Sequence, residues 1–125
     1  MAKASKSTAS QVERAGDFEG RYEDLGGYVV GFETYAGDMD PGPLFQGLPD
    51  DACQCPHWGV VVSGRIAFRF TDGSREEYAA GDAYYARPGH TPLLFAGGEV
   101  VEFSPAEELG RTMSVVMANM QRAEA

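Results

Sequence analysis

HWGVVVSGRIAFRFTDGSREEY, His57 to Tyr78, carries the clearest backbone signal in the chain. Val60 to Val62 is a short apolar run. After Gly64, Ile66, Phe68 and Phe70 alternate with Arg65, Ala67 and Arg69. Successive side chains of a strand point to opposite faces, so this period of two describes a half-buried strand. Thr71-Asp72-Gly73-Ser74 then closes a hairpin.

The same pattern extends outward in both directions. Downstream, Tyr78 to Arg87 reads as a strand pair broken at Gly81-Asp82, RPGHTP (87–92) as a turn, and Leu93–Phe95 and Val100–Phe103 as strands around Gly97-Gly98. Upstream, FEGRYEDLGGYVVGFETYAG (18–37) predicts two strands around Gly26-Gly27. Between them, DMDPGPLFQGLPDD (38–51) is a loop, because Pro41, Pro43 and Pro49 block regular pairing. Its Leu44, Phe45 and Leu48 suggest a flap that packs on the domain. Residues 1–16, rich in Ser, Ala, Lys and Thr without periodicity, read as a flexible arm.

The C-terminal end changes period. Ser104-Pro105-Ala106-Glu107 has the form of a capping box with Pro at the first helical position. Leu109, Met113, Val116, Met117 and Met120 then share one helical face, and Glu107 and Arg111 sit four apart with the acid first. Gly110 weakens this helix by about 1 kcal/mol relative to Ala. About eight short strands and one terminal helix make an all-β barrel or jelly roll.

Bulk properties agree and exclude some functions. The 125 residues suit one domain, and 43% hydrophobic content gives it a core. Sixteen Gly and seven Pro fit a turn-rich β protein. A net charge of −9 disfavours nucleic acid and anionic membrane surfaces as partners. MAKASKSTAS lacks the apolar segment of a signal peptide, and no stretch reaches a membrane span, so the expected location is the cytoplasm with reduced thiols. Cys53 and Cys55 would lie about 6.6 Å apart along a strand, poor geometry for a disulfide.

Both cysteines and one of the two histidines fall in CQCPHWG, Cys53 to Gly59. In an extended segment Cys53, Cys55 and His57 share a face, provided that Pro56 forces no bulge. His90 is the available fourth donor. Two thiolates and two imidazoles match a divalent transition metal, zinc first, with iron, nickel or copper open on softness. The bland alternative is two small buried cysteines and a core histidine held by a carbonyl. Cys55-Pro56 as an axial haem thiolate is a further, weaker reading. Asp51, Tyr85 and Arg87 are candidate pocket residues. Of the consecutive Tyr84 and Tyr85 only one can face inward. Arg69 alternates with the apolar set and reads as exposed, Trp58 as packing, and Glu99 and Glu102 as possible acid–base groups.

Residues 20–104 resemble the cupin family. The second cupin motif, G-x5-P-x-G-x2-H, has its counterpart in GDAYYARPGHTP (81–92), which supplies Gly81, Pro88 and Gly89 while Arg87 stands where the motif has its Pro, and Ser63-Gly64 matches the end of the first. The chain is also similar to short bacterial cupins with C-P-H-W-G followed by P-G-H-T-P. This resemblance implies a cupin-type jelly-roll barrel over 17–104 with a packed C-terminal α-helix over 105–122, a metal site, and a homodimer. Two registers of the first motif keep Cys53 and His57 in the site and differ over Asp51 and Cys55. Pro92 occupies the usual second-motif histidine position, and His90 lies two residues earlier. The three-His-one-Glu iron set is not present, so its dioxygenase chemistry is not implied. Three functions follow: a metal-dependent enzyme acting on a small organic molecule, a non-catalytic zinc or ligand-binding barrel, or a metal-free interaction module. Four protein ligands would close a zinc site; three would leave a position for water or substrate.

Overall fold

The computed structural model describes residues 3–124. Nine strands precede one helix: β1 (Gln11–Ala15), β2 (Phe18–Leu25), β3 (Tyr28–Tyr35), β4 (His57–Ser63), β5 (Arg65–Phe70), β6 (Arg75–Ala79), β7 (Ala83–Ala86), β8 (His90–Leu94), β9 (Gly98–Pro105) and α1 (Ala106–Glu124). They form a six-stranded sheet, β1-β2-β3-β9-β4-β7, and a three-stranded sheet, β6-β5-β8. Every paired neighbour is antiparallel. This is the expected all-β jelly roll with a C-terminal helix. The ladders form two separate sheets and do not close into a barrel.

The alternation that predicted β5 sets the core. Ile66, Phe68 and Phe70 from the small sheet pack with Tyr35, Val61, Tyr84, Ala86 and Val100 from the large one. The 18–37 hairpin forms as expected. Gly26 and Gly27 both have positive φ, 64° and 89°, which the tight turn between twisted strands demands and which glycine adopts without strain.

Three local readings are corrected. The arm is not wholly irregular: Gln11–Ala15 pairs with β2 as an edge strand. The strands β6 and β7 do not pair with each other; the break at Gly81-Asp82 sends β7 to the large sheet while β6 stays in the small one. Ser104 is not a helix cap; it is a buried residue of β9, and α1 begins two residues later.

The flap behaves as its apolar residues suggested. It contains 3-10 turns at Gly42–Phe45 and Pro49–Asp51. Phe45 is buried with Val116, and Leu44 and Leu48 pack on the same cluster as Leu109, Met113 and Met120. Asn119 Nδ2 donates to Leu44 O and Gln46 O, at 2.7 and 2.8 Å, tying flap to helix. Together they cover one end of the sandwich. Among the described residues no helix is long and apolar enough to cross a membrane.

Candidate metal centre

Backbone pairing brings the two motif segments together. Cys53 N donates to His90 O at 2.8 Å, and Gly89 N and His90 N both donate to Cys53 O, at 2.8 and 3.2 Å. The chain then bends at Cys55 before β4 begins at His57, paired with Ala86. One donor atom each from Cys53, His57 and His90 lies within 4.8 Å of the others, and all three residues are buried. Cys53 Sγ is 3.6 Å from His57 Nε2. The two imidazole centroids are 4.9 Å apart.

The bend is also why Cys55 does not join the group. Strict alternation would hold Cys53, Cys55 and His57 on one face only in straight extended backbone. Instead Cys55 Sγ faces the carbonyls of Pro56 and Pro105, at 3.4 and 4.0 Å, and is fully buried. The remaining pocket candidates also lie elsewhere. Asp51 is exposed and accepts from Gly47 N at 3.1 Å. Tyr85 lies outside against Trp58, while Tyr84 is the inward partner. Arg87 stacks over Phe70 and pairs with Asp72 at 3.0 Å. None of the three lines the cavity.

Second contacts orient the donors. His90 Nδ1 is 2.6 Å from Arg87 O, which can only accept, so Nδ1 carries the proton and Nε2 keeps its lone pair. His57 Nδ1 lies 2.7 Å from Ser104 Oγ and 3.5 Å from Glu102 Oε1. A proton on that nitrogen leaves Nε2 facing Cys53. Thr112 Oγ1, from α1, is 3.6 Å from Cys53 Sγ. Burial lowers both histidines to about 4, His90 further opposed by His57, so both are neutral bases at neutral pH. Burial pushes the Cys53 thiol up to about 11, and burial with the neighbouring Cys53 pushes Cys55 to about 12. Each thiol stays protonated unless a cation replaces its proton.

These donors line a cavity of about 170 Å³. Its other walls are mainly apolar, with Phe18, Phe68, Leu94 and the methionine face of α1. Three glutamates of the large sheet line it, the partly exposed Glu13 of β1 and the deeper Glu33 and Glu102. Glu33 accepts from Tyr22 at 2.7 Å and Tyr35 at 3.0 Å; Glu102 accepts from Tyr84 at 2.5 Å. Glu33 pairs with Val100 and Glu102 with Gly31, so the two are diagonal neighbours on adjacent strands. Burial raises both to about 7, Glu33 further through the charge of Glu102. Glu102 is legible in the sequence as a candidate; Ser104 reads there only as a helix cap, and nothing local marks Thr112. The signal for Glu33 is its phase: it shares a strand face with Gly31 and Tyr35, a lone acid on an inward face.

No protein-family model matches the sequence, and no curated protein matches it. Solved structures do. An RmlC-like cupin from Shewanella frigidimarina is 16% identical, with 82% of this chain and 88% of that one covered and a TM-score of 0.56. A Rhizobium leguminosarum protein of unknown function is 18% identical over 83% and 95%, with a TM-score of 0.58. Bacillus subtilis oxalate decarboxylase is 11% identical over 82% of this chain but 28% of its own, with a TM-score of 0.57. Likeness at these identities carries the fold alone: the chain has a cupin fold.

Proposed function

We propose that this cupin-fold chain holds one divalent transition metal, zinc first, on Cys53 Sγ, His57 Nε2 and His90 Nε2, and is a metal-dependent enzyme acting on a small organic molecule. The carrying observation is the convergence of three soft donor atoms within 4.8 Å, with the other ring nitrogen of each histidine already engaged. Tying down the outer nitrogen is how proteins orient a ligating imidazole. A thiolate and two neutral imidazoles fit zinc, and iron, nickel or copper on the same softness. A bound metal would supply Lewis-acid polarisation or an acidified water.

The chain's own residues support a catalytic role over a structural one. A closed zinc site needs Cys55 as fourth donor, and its thiol faces two backbone carbonyls instead. Three protein ligands leave a position open to the cavity. A cavity of about 170 Å³ suits a molecule near the size of benzene, which fills an engineered apolar cavity of ~150 Å³. Its walls bind the apolar part and exclude water. Glu33, held by two tyrosine hydroxyls, is the group that would take or give a proton.

Elemental analysis of purified protein should give close to one transition metal per chain. Cys53→Ser combined with His90→Ala should remove it, and Cys55→Ser should keep it. Stoichiometric metal in the double variant refutes the centre. Loss of metal in Cys55→Ser shifts the reading to a closed, non-catalytic zinc site.

A further inference from the structure

The cavity walls hold acid without base. Glu13, Glu33 and Glu102 line the same space as Cys53, His57 and His90. With Tyr22 they also line a second cavity, of about 270 Å³, walled by β1, β3 and α1. Among the described residues no Lys or Arg is ion-paired to Glu33 or Glu102. Arg14, the one Lys or Arg at these walls, is turned outward to Glu19, at 2.9 Å. Burial with no cation at hand raises both carboxyls to about 7. Yet Glu33 is built to accept. Each of its oxygens receives a tyrosine hydroxyl, from Tyr22 at 2.7 Å and from Tyr35 at 3.0 Å, which suits a carboxylate better than an acid with an O–H of its own to place. A carboxylate has about four acceptor sites, so about two stay free. Tyr22 is held against the sheet by missing side chains: a Cβ at Gly31 would lie 2.8 Å from its ring, and one at Gly20 would overlap it. The other side of the ring is left to the cavities. The site does not rest on acids alone. His90 is 1% exposed and engages only Nδ1, so its Nε2 lone pair looks into the same space.

We propose that the substrate is a small organic amine, bound as its ammonium on Glu33, with a short apolar chain against Phe18, Phe68 and the methionines of α1. This rests on the metal-enzyme reading of the same cavity. A divalent metal on one thiolate leaves a single net positive charge, which offsets Glu102 beside His57 but not Glu33 as well. The ammonium supplies the missing charge, and its N–H groups fill the free acceptor sites. The ring of Tyr22 adds a face on which a cation is attracted. An anion would add to the buried acid, and a neutral alcohol would leave Glu33 uncompensated. The net charge of −9 draws cations and repels anions at long range, and partly exposed Glu13 extends the acidic wall toward solvent. A carboxylate that holds an ammonium is also placed to take one of its protons, giving the free amine and a neutral Glu33.

Calorimetry on the full chain as purified, in weakly alkaline buffer, compares n-butylamine, 1-butanol, butyrate and potassium chloride. Butylammonium should bind about 10- to 100-fold more tightly than 1-butanol, the worth of hydrogen bonds to a charged group. Butyrate should not bind, and potassium should not displace the amine. Glu33→Gln should bring butylammonium down to the affinity of 1-butanol and leave 1-butanol itself unchanged. Where Glu33→Gln fails to fold, the four probes on the wild-type chain decide alone. Binding of 1-butanol or butyrate as tight as that of butylammonium overturns the proposal. So does the absence of binding by any probe, or full butylammonium affinity in folded Glu33→Gln. Displacement by an equal concentration of potassium assigns the acids to an inorganic cation and overturns it as well. Elemental analysis of the same samples separates the two readings. Butylammonium held through Glu33 by protein without metal keeps this proposal and removes the metal centre. A full complement of metal with no preference for butylammonium removes this proposal alone.

Discussion

Ser104 has the sequence signature of a helix cap and the surroundings of a histidine partner. Both roles use the same hydroxyl, and the strand register decides between them. Ser104 belongs to the inward face of β9, two residues beyond Glu102, and there its oxygen is 2.7 Å from His57 Nδ1. In the proposed centre it is a positioning residue that fixes the tautomer of His57. Removing such a partner costs about 10- to 100-fold in metal affinity. Ser104→Ala should weaken metal binding by that factor in a chelator competition, with the helix content unchanged. Unaltered affinity would mean that Glu102, 3.5 Å away, holds the imidazole by itself. Cys55 teaches the complementary lesson. Its identity suggested a ligand, but its direction was set by a bend that alternation does not encode.

Helix α1 closes the cavity with the face that its period predicts. Leu109, Met113, Val116, Met117 and Met120 all line it. The methionines thus wall a cavity at one end, a role that unbranched, polarizable side chains suit. Gly110 has no packing reason to be glycine: a methyl group built there meets nothing within 4 Å, and it needs no positive φ. Gly110→Ala should therefore stabilise the protein by about 0.5–1 kcal/mol, a rise in Tm of about 3 °C. A fall in Tm would show that the helix needs flexibility at this turn. The flap was likewise readable as apolar chain that must be covered. That Asn119 fastens it was not, because residues 44 and 119 meet only after the sheets are folded.

At the scale of the molecule, the cavity places acids and bases with opposite burial costs. Folding raises Glu33 from 4.5 to about 7, so the folded state keeps a proton that the unfolded chain has released. Stability from this group is present at acid pH and is lost as pH rises through about 7. The histidines act in the reverse sense: lowered from 6.5 to about 4, they add stability as pH rises, until the unfolded chain's imidazoles have lost their protons about one unit above 6.5. Glu102 is raised to about 7 like Glu33, and between pH 6.5 and about 8 the two carboxyls together outweigh that residual gain. Metal-free protein should lose thermal stability across that window. Glu33→Gln should narrow the loss, its Tm relative to wild type being higher at about pH 8 than at about pH 5. Equal Tm differences at both pH values would show that Glu33 carries no buried charge.

The alternation of Ile66, Phe68 and Phe70, the Gly26-Gly27 turn and the methionine period are local, and each is written within a few residues. Strands, turns, the helical face and the types of donor atom therefore follow from the sequence alone. Convergence does not. Cys53 meets Thr112, His57 meets Ser104, and Cys53 pairs with His90 across long stretches of chain. Those meetings depend on how two sheets and a helix close over one another. A repeat of two fixes which side of a strand a residue takes, but only tertiary packing fixes what stands opposite it.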